Sequence, residues 1–174
     1  SALGSGMNAL FRALTVYDNK LVAGGNFTTA GEVVANYVAF WDGLSWAALG
    51  TGTSSIVYAL AVYDNKLIVV GNFTFAGGVA VNVGIASWDG LFWAAFGTGI
   101  NGYQVEALTV YDNKLIAGGA FTTAGSVAIN YIAAWDVSGW SVLGSGMNVE
   151  SYVSALTVYD NQLIVGETFY TAGA

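Results

Sequence analysis

Aromatic and charged side chains occur where the sequence stops repeating itself. Six of them are candidates for a binding site: Arg12, Tyr58, Tyr103, Glu106, Glu150 and Tyr152. Side chains of these types anchor protein partners or stack on sugars, and binding residues often lie on variable loops over a rigid scaffold. We therefore predict binding on the variable segments 6–12, 52–58, 99–106 and 146–154. Simple drift in loops that carry no core explains the same variation.

The residue content argues against catalysis. The chain contains no His and no Cys, so a nucleophile would lack its usual base and thiol chemistry is absent. The phosphate-binding pattern GxxxxGK[ST] and the dinucleotide pattern GxGxxG before a helix are also missing. We predict a protein that is not an enzyme, with no catalytic residue and no cofactor.

Acidic residues concentrate in predicted hairpin turns, and the net charge is −7 from 11 acidic and 4 basic residues. Seven of the acids would share one face: Asp18, Asp42, Asp64, Asp89, Asp112, Asp136 and Asp160. Such a face could bind a hard cation, but Asp is also the residue that these turns prefer. We predict no metal site. The negative charge argues against nucleic-acid binding, which needs Lys and Arg.

These residues are set on a repeat. VYDN recurs so that Tyr17, Tyr63, Tyr111 and Tyr159 are 46, 48 and 48 residues apart, and Trp41, Trp88 and Trp135 are 47 and 47 apart. Two landmarks that keep one period of this size indicate a propeller or another array of stacked units.

Each unit divides into short strands separated by turn residues. In the third copy we predict strands at 105–111, 114–121, 131–135 and 140–143, with Asp112-Asn113 as a two-residue hairpin loop. The strands are apolar on both sides, which indicates sheets covered on both faces. We predict an all-β β-propeller built of four-stranded antiparallel blades, with about 47 residues per repeat. The six recurring Trp residues are assigned to packing between sheets.

The sequence of each unit resembles a known family. An apolar second strand ending in Gly-Gly, an aromatic third strand, a short turn and a Trp opening the fourth strand are similar to the kelch repeat of galactose-oxidase-type β-propellers. LIAGGAFTTAG followed by NYIAAWD resembles kelch-like repeats of bacterial and fungal cell-surface proteins. The resemblance implies the fold for nearly the whole chain, whereas kelch propellers serve as enzymes, adaptors and adhesins alike.

The repeat is incomplete at both ends of the sequence. We assign residues 1–8 to the last strand of a preceding blade, 9–50, 56–98 and 104–146 to three blades, and 152–174 to the first half of another. We favour one propeller segment, 1–174, of a longer repeat protein; the alternative is a four-blade ring that lacks one strand and part of a loop. An unpaired last sheet predicts a partner: further copies of the same repeat or another protein chain.

These features favour a non-catalytic structural or adhesive scaffold of an extracellular or cell-surface protein. The alternative is a carbohydrate-binding propeller with one pocket per unit on the variable face. Asn26 and Asn72 match the N-glycosylation pattern, which here is also the repeat consensus. No apolar run is long enough to cross a membrane, so we predict no membrane insertion.

Overall fold

The protein is all-β. The computed structural model describes residues 3–81, 84–144, 147 and 152–167, and these residues form strands, turns and bends without any helix. No segment of this described part therefore qualifies as a helix that could cross a membrane.

The described residues contain nineteen strands, which fall into four groups that match the repeats. The first group contains β1 (Phe11–Tyr17), β2 (Lys20–Gly25), β3 (Thr29–Ala30), β4 (Val33–Val34), β5 (Val38–Trp41) and β6 (Trp46–Ala48). The second contains β7 (Val57–Tyr63), β8 (Lys66–Gly71), β9 (Phe75–Ala76), β10 (Val79–Ala80), β11 (Ile85–Trp88) and β12 (Trp93–Ala95). The third contains β13 (Ile100–Tyr111), β14 (Lys114–Ala124), β15 (Val127–Ala128), β16 (Ile132–Asp136) and β17 (Gly139–Val142). The fourth contains β18 (Val153–Tyr159) and β19 (Gln162–Glu167).

Three antiparallel sheets have the same strand order. The first sheet is β1-β2-β5-β6, the second is β7-β8-β11-β12, and the third is β13-β14-β16-β17 with β15 added to β14. The last sheet is the pair β18-β19. The four strands of the third copy are therefore confirmed, although β13 begins at Ile100 and β14 extends to Ala124, further than predicted. The small hairpins β3-β4 and β9-β10 within the long loops were not predicted.

The hairpin between the first two strands of each unit is closed by Asp-Asn, as predicted. Asp112 and Asn113 have φ angles of 48° and 60°, and the same residues in the other copies are also left-handed. Two successive positive φ angles define the type I′ loop, whose twist matches that of the flanking strands. Asp and Asn tolerate this conformation because their side chains can bond nearby backbone.

The sheets are covered on both faces where they have neighbours. In β8, Leu67, Ile68, Val69 and Val70 are all fully buried although successive side chains point to opposite sides. One face packs on the first sheet, because Leu67 and Val69 share a core with Val22 and Val38, and the opposite face packs on the third sheet. This burial explains why the repeat is apolar on both sides.

Neighbouring sheets are closest along their first strands. β1 lies beside β7, β7 beside β13, and β13 beside β18. Gly24 of β2 allows the close approach, because a Cβ there would lie 2.4 Å from Cγ1 of Val57. Gly118 meets Val153 in the same way between the third and fourth sheets.

The tryptophans contact the preceding unit, as predicted, and they also pair with each other within a sheet. Trp88 and Trp93 pair across β11 and β12 with ring centroids 5.4 Å apart. The indole N–H of Trp93 donates to the carbonyl of Leu49 in the preceding unit at 3.0 Å, and Trp46 donates to Leu3 at 2.9 Å. Residues 3–8 thus occupy the place before the first sheet that residues 49–54 occupy before the second.

Candidate functional site

A polar groove of about 400 Å³ lies where the first strands of all four units come together. Arg12 of β1, Tyr58 of β7, Glu106 of β13 and Ser154 of β18 line it, together with Gln104 of β13. The first four occupy one equivalent position of the repeat, since each is followed by Ala and then by Leu. One groove is therefore shared by four copies, in contrast to the one pocket per unit expected for a sugar-binding protein.

A β-bulge directs each of these four side chains. The pairing of β1 with β2 shifts between Phe11 and Ala13, which leaves Arg12 as the extra residue. The same shift occurs around Tyr58, Glu106 and Ser154 in the other three first strands. A bulge re-aims the side chain of its extra residue and is frequent beside functional sites. The repeat thus builds one special side-chain position per unit.

Glycine opposite the bulge makes this geometry possible in the complete sheets. A Cβ on Gly71 would lie 2.0 Å from the carbonyl oxygen of Ile56, which is backbone and cannot move aside alone. A Cβ on Gly25 or Gly119 would likewise lie 2.3 Å from a backbone carbonyl oxygen in or next to the paired strand. In the last sheet, Glu167 stands at the position of these glycines and is paired with Val153. Among the described residues, β19 of this sheet pairs only with β18.

Two contacts organise the groove. The guanidinium carbon of Arg12 lies 5.5 Å from the centre of the Tyr58 ring, which is a cation–π distance. The amide nitrogen of Gln104 donates to a carboxylate oxygen of Glu106. Within the described part of the chain, no salt bridge involves Arg12 or Glu106. The groove therefore presents one positive and one negative group with neutral polar groups beside them.

The structure brings together three of the six predicted binding residues. Arg12, Tyr58 and Glu106 line the groove, and they lie within strands, whereas the prediction placed them on loops. Tyr103 is exposed on β13, and Tyr152 precedes β18; neither lines the groove. Glu150 lies outside the described residues.

Ser154 and Gln104 lie in the predicted variable segments 146–154 and 99–106 but are not among the six named candidates. Ser154 could have been found from the repeat alone, because it is the fourth copy of the Arg12 position. Gln104 is two residues before Glu106, so it lies on the same side of an extended strand, but nothing in its spacing distinguishes it from other polar residues.

The aspartates of the second hairpin of each sheet serve their own turns. The Asp42 carboxylate accepts backbone N–H groups of Leu44 and Ser45 at 2.8 Å, and Asp89 accepts those of Leu91 and Phe92. The hydrogen bond from Ser45 is the main reason why the pKa of Asp42 is lowered. No group of three acidic residues among those described is placed to hold a metal ion.

Tyrosines of the first hairpin connect neighbouring sheets. The Tyr17 hydroxyl donates to the Asn65 carbonyl at 3.3 Å, and Tyr111 donates to Asn161 at the same distance. Desolvation raises the pKa of Tyr17, and the nearby charges of Asp18 and Asp89 add to the effect. The Tyr17 hydroxyl therefore remains a protonated donor at neutral pH.

The two ends of the array carry open sheet faces. The first-sheet face is Leu10, Phe11 and Leu14, over which lies an apolar hollow of about 460 Å³. Leu14 is 51% exposed, whereas its equivalent Leu60 is 8% exposed beneath the first sheet. The last-sheet face is Tyr159, Ile164 and Gly166, the equivalents of Tyr17, Val22 and Gly24. Tyr159 and Ile164 are exposed.

Comparison with known proteins supports the fold alone. No protein-family model matches the sequence, and no curated protein matches it. The chain is similar in structure to the computationally designed Ika4 protein, with a TM-score of 0.59, 21% identity and coverage of 95% of this chain and 91% of that one. It also resembles the computationally designed Ika8 protein, with a TM-score of 0.50 and 22% identity over 94% of this chain and 44% of that one.

Proposed function

We propose that the chain is a segment of a kelch-like β-propeller that works as a non-catalytic structural or adhesive scaffold and associates with further copies of the same repeat. The observation that carries this proposal is the contrast between equivalent residues. Leu60 is sealed under a neighbouring sheet, whereas Leu14, at the same position of the repeat, is half exposed. Large apolar side chains grouped on one open face mark an interaction surface.

The two open faces are complementary, because the contacts inside the chain show how such faces fit. Val57 and Leu60 pack against Gly24 of the preceding sheet. By repeat equivalence, Phe11 and Leu14 of a second copy would pack against Gly166 of the first, which lacks a side chain as Gly24 does. The Tyr17 hydroxyl bonds Asn65 of the next sheet, so Tyr159 would bond Asn19 of the second copy.

Association through two different faces is head to tail. Such contacts produce a closed ring when the rotation per copy closes and a filament when it does not. A propeller is the closed case, with sheets arranged around their first strands. The adjacency of β1, β7, β13 and β18 in chain order supports this arrangement.

The residue content supports a role without catalysis at the surface of a cell or outside it. The chain has no His and no Cys, and 9% of its residues are charged. The similarity of the repeat to kelch-like repeats of cell-surface proteins supports the location.

The proposal is tested by the oligomeric state of this 174-residue polypeptide. We expect light scattering to show a mass that rises with concentration to a multiple of the monomer mass. Leu14→Glu places a charge on the first-sheet face, and burying it there would cost several kcal/mol, of order 3. This variant is therefore expected to remain a monomer.

A matched control separates loss of association from loss of folding. Leu44→Glu changes an exposed leucine in a hairpin turn and should associate like the unmodified chain. Circular dichroism should show the same β-sheet content for all three proteins. A monomer at every concentration for the unmodified chain would refute the proposed association.

A further inference from the structure

We infer that the groove lined by Arg12, Tyr58, Glu106, Ser154 and Gln104 binds a neutral, hydroxyl-rich ligand of the saccharide class. All of these residues belong to one chain, so the inference does not depend on association of copies. The inferred site is a single sugar pocket shared by four units, whereas the sequence suggests one pocket per unit as an alternative.

The four copies are alike in the residues that flank the bulge. The residue before the bulge is Phe11, Val57, Val105 or Val153, and the residue after it is Ala in every copy.

Between these near-constant neighbours the bulge residue is Arg12, Tyr58, Glu106 or Ser154, four different chemistries. A position that served only packing would keep one type of side chain, as its neighbours do. The scaffold is thus repeated, while the side chains that it aims into the groove are not.

The groove has the size and the lining of a site for a small polar ligand. The groove has the size of small-ligand sites, about 300–1,000 Å³. Its lining is polar apart from the ring of Tyr58, which excludes an apolar ligand. Arg12 offers donors, Glu106 offers acceptors, and the hydroxyls of Tyr58 and Ser154 offer both.

The balance of charge selects among polar ligands. An anion would meet Glu106 and a chain of net charge −7, and a cation would meet Arg12. A hydroxyl donates and accepts at once, so neighbouring hydroxyls of a sugar can bond the guanidinium and the carboxylate together. Gln104 holds the carboxylate of Glu106 in place, which reduces the cost of ordering it on binding.

The experiment is saturation-transfer NMR with the intact chain and separate samples of glucose, galactose, mannose and N-acetylglucosamine at millimolar concentration. We expect transfer to at least one of these sugars. Arg12→Ala and Glu106→Gln each remove a charged hydrogen-bond partner, and each should weaken binding by about tenfold or more.

Controls of the same chemical type lie outside the groove. Lys66→Ala and Glu32→Gln change exposed residues and should leave the transfer unchanged. The inference is overturned if none of the four sugars shows saturation transfer. It is also overturned if Arg12→Ala and Glu106→Gln both leave the transfer signal unchanged. Two charged compounds, the free amino acid glycine and the anionic sugar galacturonate, are measured in the same way. The inference is also overturned if either of them binds in the groove in place of the neutral sugars.

Discussion

Replacing Phe73 by alanine is expected to lower the free energy of unfolding by about 3–5 kcal/mol, the usual cost of deleting a buried ring. Phe73 is 1% exposed and belongs to the core between the first and second sheets. Phe27 and Phe121 are buried at the same position of the first and third repeats, so one ring fills this space in each of the first three units. Urea unfolding measured by tryptophan fluorescence gives the value.

Phe75 provides the matched control, because it lies two residues away and is 50% exposed. Phe75→Ala should change the free energy of unfolding by less than about 1 kcal/mol. Equal losses for the two variants would mean that the core does not lie between the sheets as described.

Replacing Gly71 by alanine is expected to cost about 3 kcal/mol, at the upper end of what forced overpacking costs. The new Cβ would lie 2.0 Å from the Ile56 carbonyl oxygen and 2.9 Å from the Cα of Val57. β8 cannot move away because it is paired with β7 on one side and β11 on the other. Thermal unfolding followed by circular dichroism measures the loss.

Gly166→Ala is the control for the same chemical change. The nearest atom to a Cβ at Gly166 is the Cβ of Ala155 at 3.2 Å, and β19 has β18 as its partner within the described residues. The stability of the monomer should therefore change little, by less than about 0.5 kcal/mol. If Gly71→Ala were as mild as Gly166→Ala, the bulge opposite Gly71 would not be as tight as described.

Much of the local structure could be predicted because short-range chemistry determines it. Asp112-Asn113 predicts a two-residue turn, since few residues tolerate two left-handed conformations in succession. Apolar residues on both sides of a strand predict a sheet with two covered faces, and β8 confirms this. The strands β3 and β4 have two residues each, too few to produce a periodic signal.

The geometry between sheets could not be read from the repeat. The angle between two neighbouring sheets depends on close packing such as that of Gly24 against Val57, and no sequence period encodes it. Closure into a propeller therefore stays a prediction.

The candidate site was predicted in part and for an incomplete reason. Variation between copies pointed to Arg12, Tyr58 and Glu106, but it was interpreted as variation of loops. A bulge adds one residue to a strand, which breaks the alternation of side chains and makes the strand look irregular in sequence. Alignment of the copies on their constant Ala would have revealed Ser154 as the fourth member.

Formation of a disulfide between cysteines placed at Gly24 and Val57 tests most directly whether successive repeat sheets pack face to face along their first strands. The chain has no cysteine of its own, so the engineered pair reacts alone. A Cβ at Gly24 would lie 3.0 Å from the Cβ of Val57, which is shorter than the usual separation of about 3.5–4.5 Å in disulfides, so a small shift of one strand is needed to close the bond. Val57→Cys removes the methyl group that would clash. Mass spectrometry of the oxidised monomer should show this bond within one chain. Two free thiols after oxidation of the folded monomer would contradict the packing of the sheets.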